Sequence, residues 1–434
     1  MDGLQIGSPP SGTPPPPDPR APRHDTLPRS GQAPYRVLIH DYAGHPFQAD
    51  LSRELARRGH TVLHAFFRQD PGPKGALRRL SSDPQTLDFA PVDIGFAYSK
   101  TGFLRRRRGD LAYGAALAAL IEAIRPDLVL SGNTPTEAQH RIAARCTALG
   151  IPLVHWCQDF YSLAVARLLA RRLPGPGHAI GAWYAHLERR QMRSAAHLIH
   201  ITEDFRPRSE RWGIPKQRTS IIPNWAPLEA IPTGPRDTEW ARTQGLPTGP
   251  RFVYCGTLGL KHDPTLLSAL ATALGDTGSV IVVSAGAGAD RLKRQSAHLP
   301  ALTLLPLQPV ETLPLVLASA DVLLAVIGRE AGTYSVPSKV LSYLCAARPI
   351  VLAAPADNHA ARIVRASGAG IVDDPDDPSG FVAAARAFAA DPVRAARAGR
   401  AGRRYAEAHF AIAPIADRFD AIFRAALTPQ RQIP

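Results

Sequence analysis

Two lysines in this 434-residue chain stand where a bound phosphate would want them. The segment Val253–Lys261 (VYCGTLGLK) reads as a strand running into a glycine-containing turn. Such a turn lets backbone N–H groups approach an anion, and Lys261 behind it supplies a point charge. The second lysine is Lys339 in Ser335–Leu344 (SVPSKVLSYL), where Pro337 and Ser338 open a helix after an irregular stretch. A cation in a first helical turn opposes the macrodipole and is tolerated best when an anion binds there too. Lysine occurs at only six positions, 74, 100, 216, 261, 293 and 339, in a chain with 51 Lys+Arg. That scarcity marks out both residues, although a strand with G-x-x-G also describes ordinary turns and Ser338 taken alone reads as an N-cap.

Two further segments imitate chemistry. Ser284–Ala289 (SAGAGA) follows a strand, yet it lacks the G-x-G-x-x-G spacing and no acidic residue ends a later strand about twenty residues on. It suits packing against a nucleotide base better than a nicotinamide site. The acidic cluster Asp373, Asp374, Asp376 and Asp377 resembles a metal-binding D-x-D, but it precedes a helix, where Asp377 or Ser379 serves as a cap. We expect no metal and no cofactor. The four cysteines, Cys146, Cys157, Cys255 and Cys345, contain no C-x-x-C pair and fit neither a zinc site nor a disulfide framework.

The elements that must position these groups alternate. Arg36–His40, Thr61–Ala65, Leu128–Leu130 and Leu153–Trp156 read as buried strands, and Phe47–Arg58, Leu111–Ile124 and Thr136–Leu149 as amphipathic helices. The rhythm restarts at Arg251–Cys255 and runs to Gly370–Val372 and the helix opened by Asp377-Pro378-Ser379. Alternation of this kind gives parallel sheets covered on both faces. The expected fold is α/β with two Rossmann-like, doubly wound domains facing across a cleft. The expected divisions are a Pro-rich disordered tail at 1–34, an acceptor-side domain at 35–205, a proline-punctuated interdomain segment at 206–250, a donor-binding domain at 251–405, and a C-terminal helix at 406–434 that packs back toward the first domain.

The order of the pieces, VYCGTLGLK, VVSAGAG, ASADVLLAV, VPSKVLSYLCAARPIVLAAP and GAGIVDDPDDPSGFVAAARAFAADP, resembles the donor domain of family-4 glycosyltransferases with the GT-B fold. IHDYAGHPFQADLSRELARRGHTV, IRPDLVL, IPLVHWCQDFYS and SIIPNWAP resemble the other half, and the likeness spans about residues 35–430. It is nearest the branch that builds bacterial surface polysaccharides of the colanic-acid and O-antigen type. The resemblance implies a retaining transferase of the hexosyl/glycosyltransferase class, in which the leaving diphosphate helps deprotonate the acceptor hydroxyl and positive charge stabilises its departure. It implies that Lys261 is the donor-phosphate lysine beside Gly256, and that Lys339 and Ser338 grip the diphosphate. Gln158 stands where a histidine meets the donor sugar, Asp159 contacts the acceptor or serves structurally, and Gly44 with His45 lies against the donor sugar. Three positions depart from the pattern: Thr257 replaces an arginine, and Tyr334 and Ser342 fall where two glutamates are usual.

The balance of 51 Lys+Arg against 37 Asp+Glu gives a formal net charge of +14, nearly all of it arginine. Much of this is the surface of an Ala/Arg/Pro-rich composition. The arginines lack the interleaved aromatics that stack on bases, so no nucleic-acid partner is expected. Arg105–Arg108 and the basic amphipathic stretch Leu163–Leu173 suit an anionic bilayer, although a packed helix with a solvated arginine face has the same pattern. No apolar run reaches a membrane span. The expected partners are a nucleotide-sugar donor, a lipid-linked saccharide acceptor and an anionic membrane surface. The expected location is the cytoplasm, peripherally on the inner face of the cytoplasmic membrane. A sugar-nucleotide epimerase of the same fold and a non-catalytic membrane-associated relative are the alternatives; an epimerase needs cleft carboxylates, which the residues at 334 and 342 do not supply.

Overall fold

Runs such as RVLIH and VLLAV carry no polar face, so they are stable only with helices on both sides of the sheet. The computed structural model describes residues 33–45, 47–70, 77–99, 102–259, 264–295, 298–329 and 339–428. In it a first sheet is built from β1 (Arg36–Asp41), β2 (Thr61–Phe67), β3 (Leu87–Val92), β4 (Leu128–Gly132), β5 (Leu153–Cys157), β6 (His197–His200) and β7 (Thr219–Ile221). A second holds β8 (Arg251–Cys255), β9 (Ser279–Val283), β10 (Leu302–Leu305), β11 (Val322–Val326), β12 (Ile350–Ala353) and β13 (Gly370–Asp373). The spatial orders are β3-β2-β1-β4-β5-β6-β7 and β10-β9-β8-β11-β12-β13. Every neighbouring pair is parallel. The strand order therefore reverses between β1 and β4 and again between β8 and β11, the two crevices in which such sheets hold ligands.

Alternate residues of β1 feed opposite cores. Val37 and Ile39 join Leu130, Val154 and Trp156 on one face, while Leu38 joins Val129, Tyr113 and Leu117 on the other. The first face is closed by Phe419 and Phe423 from the helix Ile412–Leu427, whose Asp420 accepts a hydrogen bond from Tyr35 Oη at 2.7 Å. The preceding helix, Pro392–His409, packs beneath the second sheet through Ala406. In the 206–250 stretch β7 forms the outer strand of the first sheet, whereas Trp240 of the helix Glu239–Thr243 lies in the core under the second.

Several elements differ from the sequence reading. β3 was not anticipated because LDFAPV carries Asp88 and Pro91; it is an edge strand, where a missing N–H costs no inner ladder bond. The helix expected from Leu111 starts at Phe103, since arginines propagate a helix nearly as well as leucine, and the four-arginine run forms its first turns. The basic stretch near 163–173 is the helix Tyr161–Arg172, paired with an unanticipated helix Pro176–Ser194. Their backbones approach so closely that a β-carbon on Gly181 would lie 2.8 Å from Ala166 Cβ. No described helix is long and apolar enough to cross a membrane.

Candidate functional site

The second sheet splits where its order reverses. β8 and β11 pair only at Phe252 with Val322 and Val253 with Leu323, and then diverge. Tyr343, on the helix Lys339–Cys345, fills the gap: its hydroxyl accepts the Cys255 N–H at 2.9 Å and donates to the Cys255 carbonyl at 3.1 Å. The backbone beyond turns through Gly256 at φ 126, a region closed to residues with side chains. Ser284 then pins the turn, accepting from the Leu258 N–H at 3.1 Å and donating to the Gly256 carbonyl at 2.8 Å.

Gly286 and Gly288 explain the SAGAGA segment. β-carbons there would fall 2.8 Å from the Leu258 carbonyl oxygen and 2.9 Å from Leu258 Cβ. The glycines let this loop press against the Gly256–Leu258 turn.

Lys339 lies across that turn. Its Nζ hydrogen-bonds Tyr254 Oη and stands 3.8 Å from the Tyr254 ring centroid, and Tyr254 Oη donates onward to the Thr257 carbonyl at 3.1 Å. A β-carbon on Gly256 would sit 3.3 Å from Nζ, so glycine is what admits the ammonium. The positive charge is thus held by a ring and a hydroxyl over the C-terminal end of β8, at the switch point. Burial pushes the Cys255 thiol up to about 11, with the Lys339 charge opposing. Thr257 is exposed and Ser342 half-buried on the Lys339–Cys345 helix; Lys261, Tyr334 and Ser338 lie outside the described residues.

The acidic cluster has structural partners. Asp377 Oδ1 accepts from the N–H groups of Ser379 and Gly380, both at 3.0 Å, capping the helix Pro378–Ala390. Arg329, just past β11, reaches Asp374 at 2.5 Å and Asp376 at 2.6 Å. Among the described residues no group of three or more His, Cys, Asp or Glu is placed to hold a metal ion.

The first crevice is organised around a carboxylate that sequence reasoning passed over. Asp41 ends β1 and is fully buried; it accepts the His45 N–H, and the Gln48 amide, turned with its nitrogen toward it, donates at 3.2 and 3.3 Å. Gly44, at φ 66, lets the chain fold back so that His45 reaches it. Past β4, Asn133 adopts φ 51, and its Nδ2 meets His45 Nδ1 at 3.0 Å while its Oδ1 accepts from Tyr161 Oη at 3.1 Å. Gly44 and His45 are therefore brought to the β1/β4 switch point. Gln158 makes a reciprocal amide pair with Asn224, at 3.1 and 2.9 Å, that ties the end of β5 to the segment after β7. Asp159 is exposed beside it. Asp41 and Asn133 were open to detection, because each stands at or just after the end of a strand flanking the reversal. Asn224, Tyr254 and Tyr343 act through contacts spanning 66 to 88 residues, which spacing does not reveal.

The lobes also touch. Thr202 Oγ1 lies 3.4 Å from His359 Nδ1, and Arg362 pairs with Asp204 at 2.5 Å.

Residues 44–225 match a family model described as a glycosyl transferase 4-like domain. No curated protein matches the sequence significantly. Among solved structures, a sucrose-phosphate synthase from Thermosynechococcus elongatus superposes with TM-score 0.69 at 16% identity, over 90% of this chain and 98% of that one. HepE from Anabaena in complex with UDP-glucose gives 0.65 at 14% identity, over 90% of this chain and 100% of the other. A UDP-forming α,α-trehalose-phosphate synthase from Burkholderia vietnamiensis gives 0.62 at 13%, over 92% and 98%. With two sheets of the same reversed order and these neighbours, the chain has the GT-B fold, two Rossmann-like domains facing across a cleft, and the match to a glycosyl transferase 4-like domain falls in its first half.

Proposed function

We propose that this protein is a retaining glycosyltransferase that moves a sugar from a nucleotide-sugar donor to a lipid-linked saccharide acceptor in surface-polysaccharide synthesis, working at the cytoplasmic face of a membrane. The observation that carries the reading is the Lys339 ammonium held over the Gly256 turn at the β8/β11 switch point. A leaving diphosphate develops negative charge, and a preorganised cation with nearby N–H dipoles stabilises it without reorganisation during the reaction. The complexes of HepE with UDP and with UDP-glucose support a uridine nucleotide as the first donor to try. On this reading Lys261 and Ser338 complete the diphosphate grip, His45 and Gln158 meet the donor sugar, and no metal is required.

Thermal stabilisation by a panel of UDP-, GDP- and dTDP-sugars, with and without EDTA, tests the reading. One nucleotide class is expected to raise the melting temperature, equally with the chelator present, and Lys339→Ala to remove the shift. If none stabilises the protein at millimolar concentration, the donor assignment is wrong.

A further inference from the structure

The paired helices Tyr161–Arg172 and Pro176–Ser194 meet through small residues at one end and through a buried acid at the other. A β-carbon on Gly177 would overlap the Leu169 carbonyl, and Gly181 packs on Ala166. Glu188 lies on the same helix face, seven residues beyond Gly181, and there it meets Ser162. Its side chain is only 4% exposed, and burial pushes its carboxyl up to about 7. A carboxylate in such a place costs stability unless close donors take its oxygens.

The donors are the first turn of the neighbouring helix. Phe160, which precedes that helix, offers no side-chain cap, so the first N–H groups need partners from elsewhere. Glu188 supplies them across the helix pair: Oε2 accepts the Ser162 hydroxyl at 2.5 Å, and Oε1 accepts the Ser162 N–H at 3.4 Å. Negative charge at that end also suits the macrodipole. Arg208 closes the other side, donating from Nη2 to Ser162 Oγ at 3.4 Å. Its guanidinium lies over the rings of Phe160 and Trp212, at 5.1 and 4.6 Å from their centroids.

The turn held in this way carries Tyr161. Its hydroxyl stands within hydrogen-bond distance of both the carbonyl and Oδ1 of Asn133, at 3.2 and 3.1 Å, and Asn133 Nδ2 meets His45 Nδ1 at 3.0 Å. Glu188 is therefore joined to His45 in series: carboxylate to first turn, Tyr161 to Asn133, Asn133 to imidazole.

We infer that Glu188 is a positioning residue of the first crevice: it fixes the start of the helix Tyr161–Arg172 and, through Tyr161 and Asn133, the ring of His45. The inference rests on the transferase reading above, in which His45 meets the donor sugar, and adds to it a residue that acts without touching a ligand. Glutamine at this position keeps one acceptor oxygen but turns an NH2 group toward the donors of the first turn, so the hold on Tyr161 is loosened while the shape of the side chain is kept.

Glu188→Gln tests it in the full-length protein. The ring 15N shifts of His45 are expected to move from a single tautomer to a mixture. The melting temperature at pH 8 is expected to be no lower than the parent's, because a neutral amide replaces a buried ionised carboxyl. With a nucleotide sugar that the parent turns over, kcat is expected to fall about fivefold, the order of one lost hydrogen bond, with the donor KM and the UDP-sugar melting shift unchanged. Ser162→Ala, which removes the other half of the contact and places a good helix former in the first turn, is expected to shift His45 in the same direction; it decides the matter if Glu188→Gln does not fold. Unchanged His45 shifts in the folded variants overturn the inference, and so does a lowered melting temperature with His45 unchanged, since Glu188 would then only brace the helix pair. If the parent responds to no nucleotide sugar, the transferase reading fails, and the 15N comparison still decides whether Glu188 holds His45.

Discussion

Asn133 sets the tautomer of His45. Tyr161 donates to Asn133 Oδ1 at 3.1 Å, which orients the amide so that Nδ2 donates to His45 Nδ1 at 3.0 Å and leaves the ring proton on Nε2. The Asp41 carboxylate lies farther off, 3.5 Å from Nδ1, and accepts the His45 N–H. Asn133→Asp keeps the left-handed backbone that Asn and Asp tolerate, but turns the donor into an acceptor. The proton is then expected to move to Nδ1, seen in the 15N shifts of the imidazole, and turnover of the donor sugar to fall by about tenfold, the order of a lost neutral hydrogen bond. A UDP-sugar melting shift equal to that of the parent separates this effect from loss of donor binding. Unchanged turnover in a variant with the shifted tautomer removes His45 from the chemistry.

Gly256 and Lys339 are expected to be coupled. Gly256→Ala places a methyl 3.3 Å from Nζ and demands φ 126 of an alanine, a strain of about 1–3 kcal/mol. Both the melting temperature and the UDP-sugar shift are expected to drop. Lys339→Ala is expected to lose the shift with a smaller change in melting temperature. Combining the two relieves the contact with the ammonium, so the double variant is expected to be more stable than the sum of the single effects while remaining without the shift. Strict additivity would mean that the lysine does not occupy the space above the glycine.

The parts of this architecture legible in the sequence are those whose signal is local. VYCGTLGLK announces a strand and a turn because apolar burial and glycine punctuation fall within nine residues, and β8 is found at Arg251–Cys255. Gly150 likewise closes the helix Thr136–Leu149 at φ 67. β3 and β6 were hidden for opposite reasons: one is polar and holds a proline, the other is only HLIH. The site divides in the same way. Lys339 was singled out by its scarcity and its place beside a helix start, whereas Tyr254, which holds its ammonium, lies 85 residues earlier and reads in sequence only as an apolar strand residue.

Buried histidines make the fold acid-sensitive. Burial pulls His40 down to about 3 and His64, His155 and His200 to about 4, from an ordinary value of 6.5. Each is neutral when folded, whereas its unfolded counterpart gains a proton below 6.5. Their stabilising contribution is therefore complete above that pH and is lost as pH falls toward 4. Glu188 acts in the opposite sense. Burial pushes it up to about 7 despite the Ser162 hydroxyl, so its contribution is present below about 4.5 and lost as pH rises through 7. His155 Nδ1 is buried without a hydrogen-bond partner, which makes His155→Leu a clean test of the larger effect. The drop in urea-unfolding free energy between pH 7.5 and pH 5 is expected to shrink by about 2 kcal/mol in that variant. An equal drop in both proteins would mean that this imidazole is protonated in the fold.

Phe419 tests whether the last helix belongs energetically to the lobe that precedes it in sequence or to the lobe it touches. Its ring packs edge-on to Trp156 at 5.3 Å and to Trp225 at 6.4 Å, and Trp156 stacks on Trp225 at 5.6 Å. All three are fully buried in the core of the first sheet. Truncation to alanine removes a whole ring from a packed site, at a cost of about 3–5 kcal/mol. Because the ring contacts the first lobe, hydrogen exchange in Phe419→Ala is expected to speed up in β1, β4 and β5 while β8 and β9 keep their protection. Equal loss in both sheets would show that the lobes unfold as one cooperative unit, with the Asp204–Arg362 contact and the helix pair at the C-terminus coupling them. Loss confined to the second sheet would contradict the packing itself.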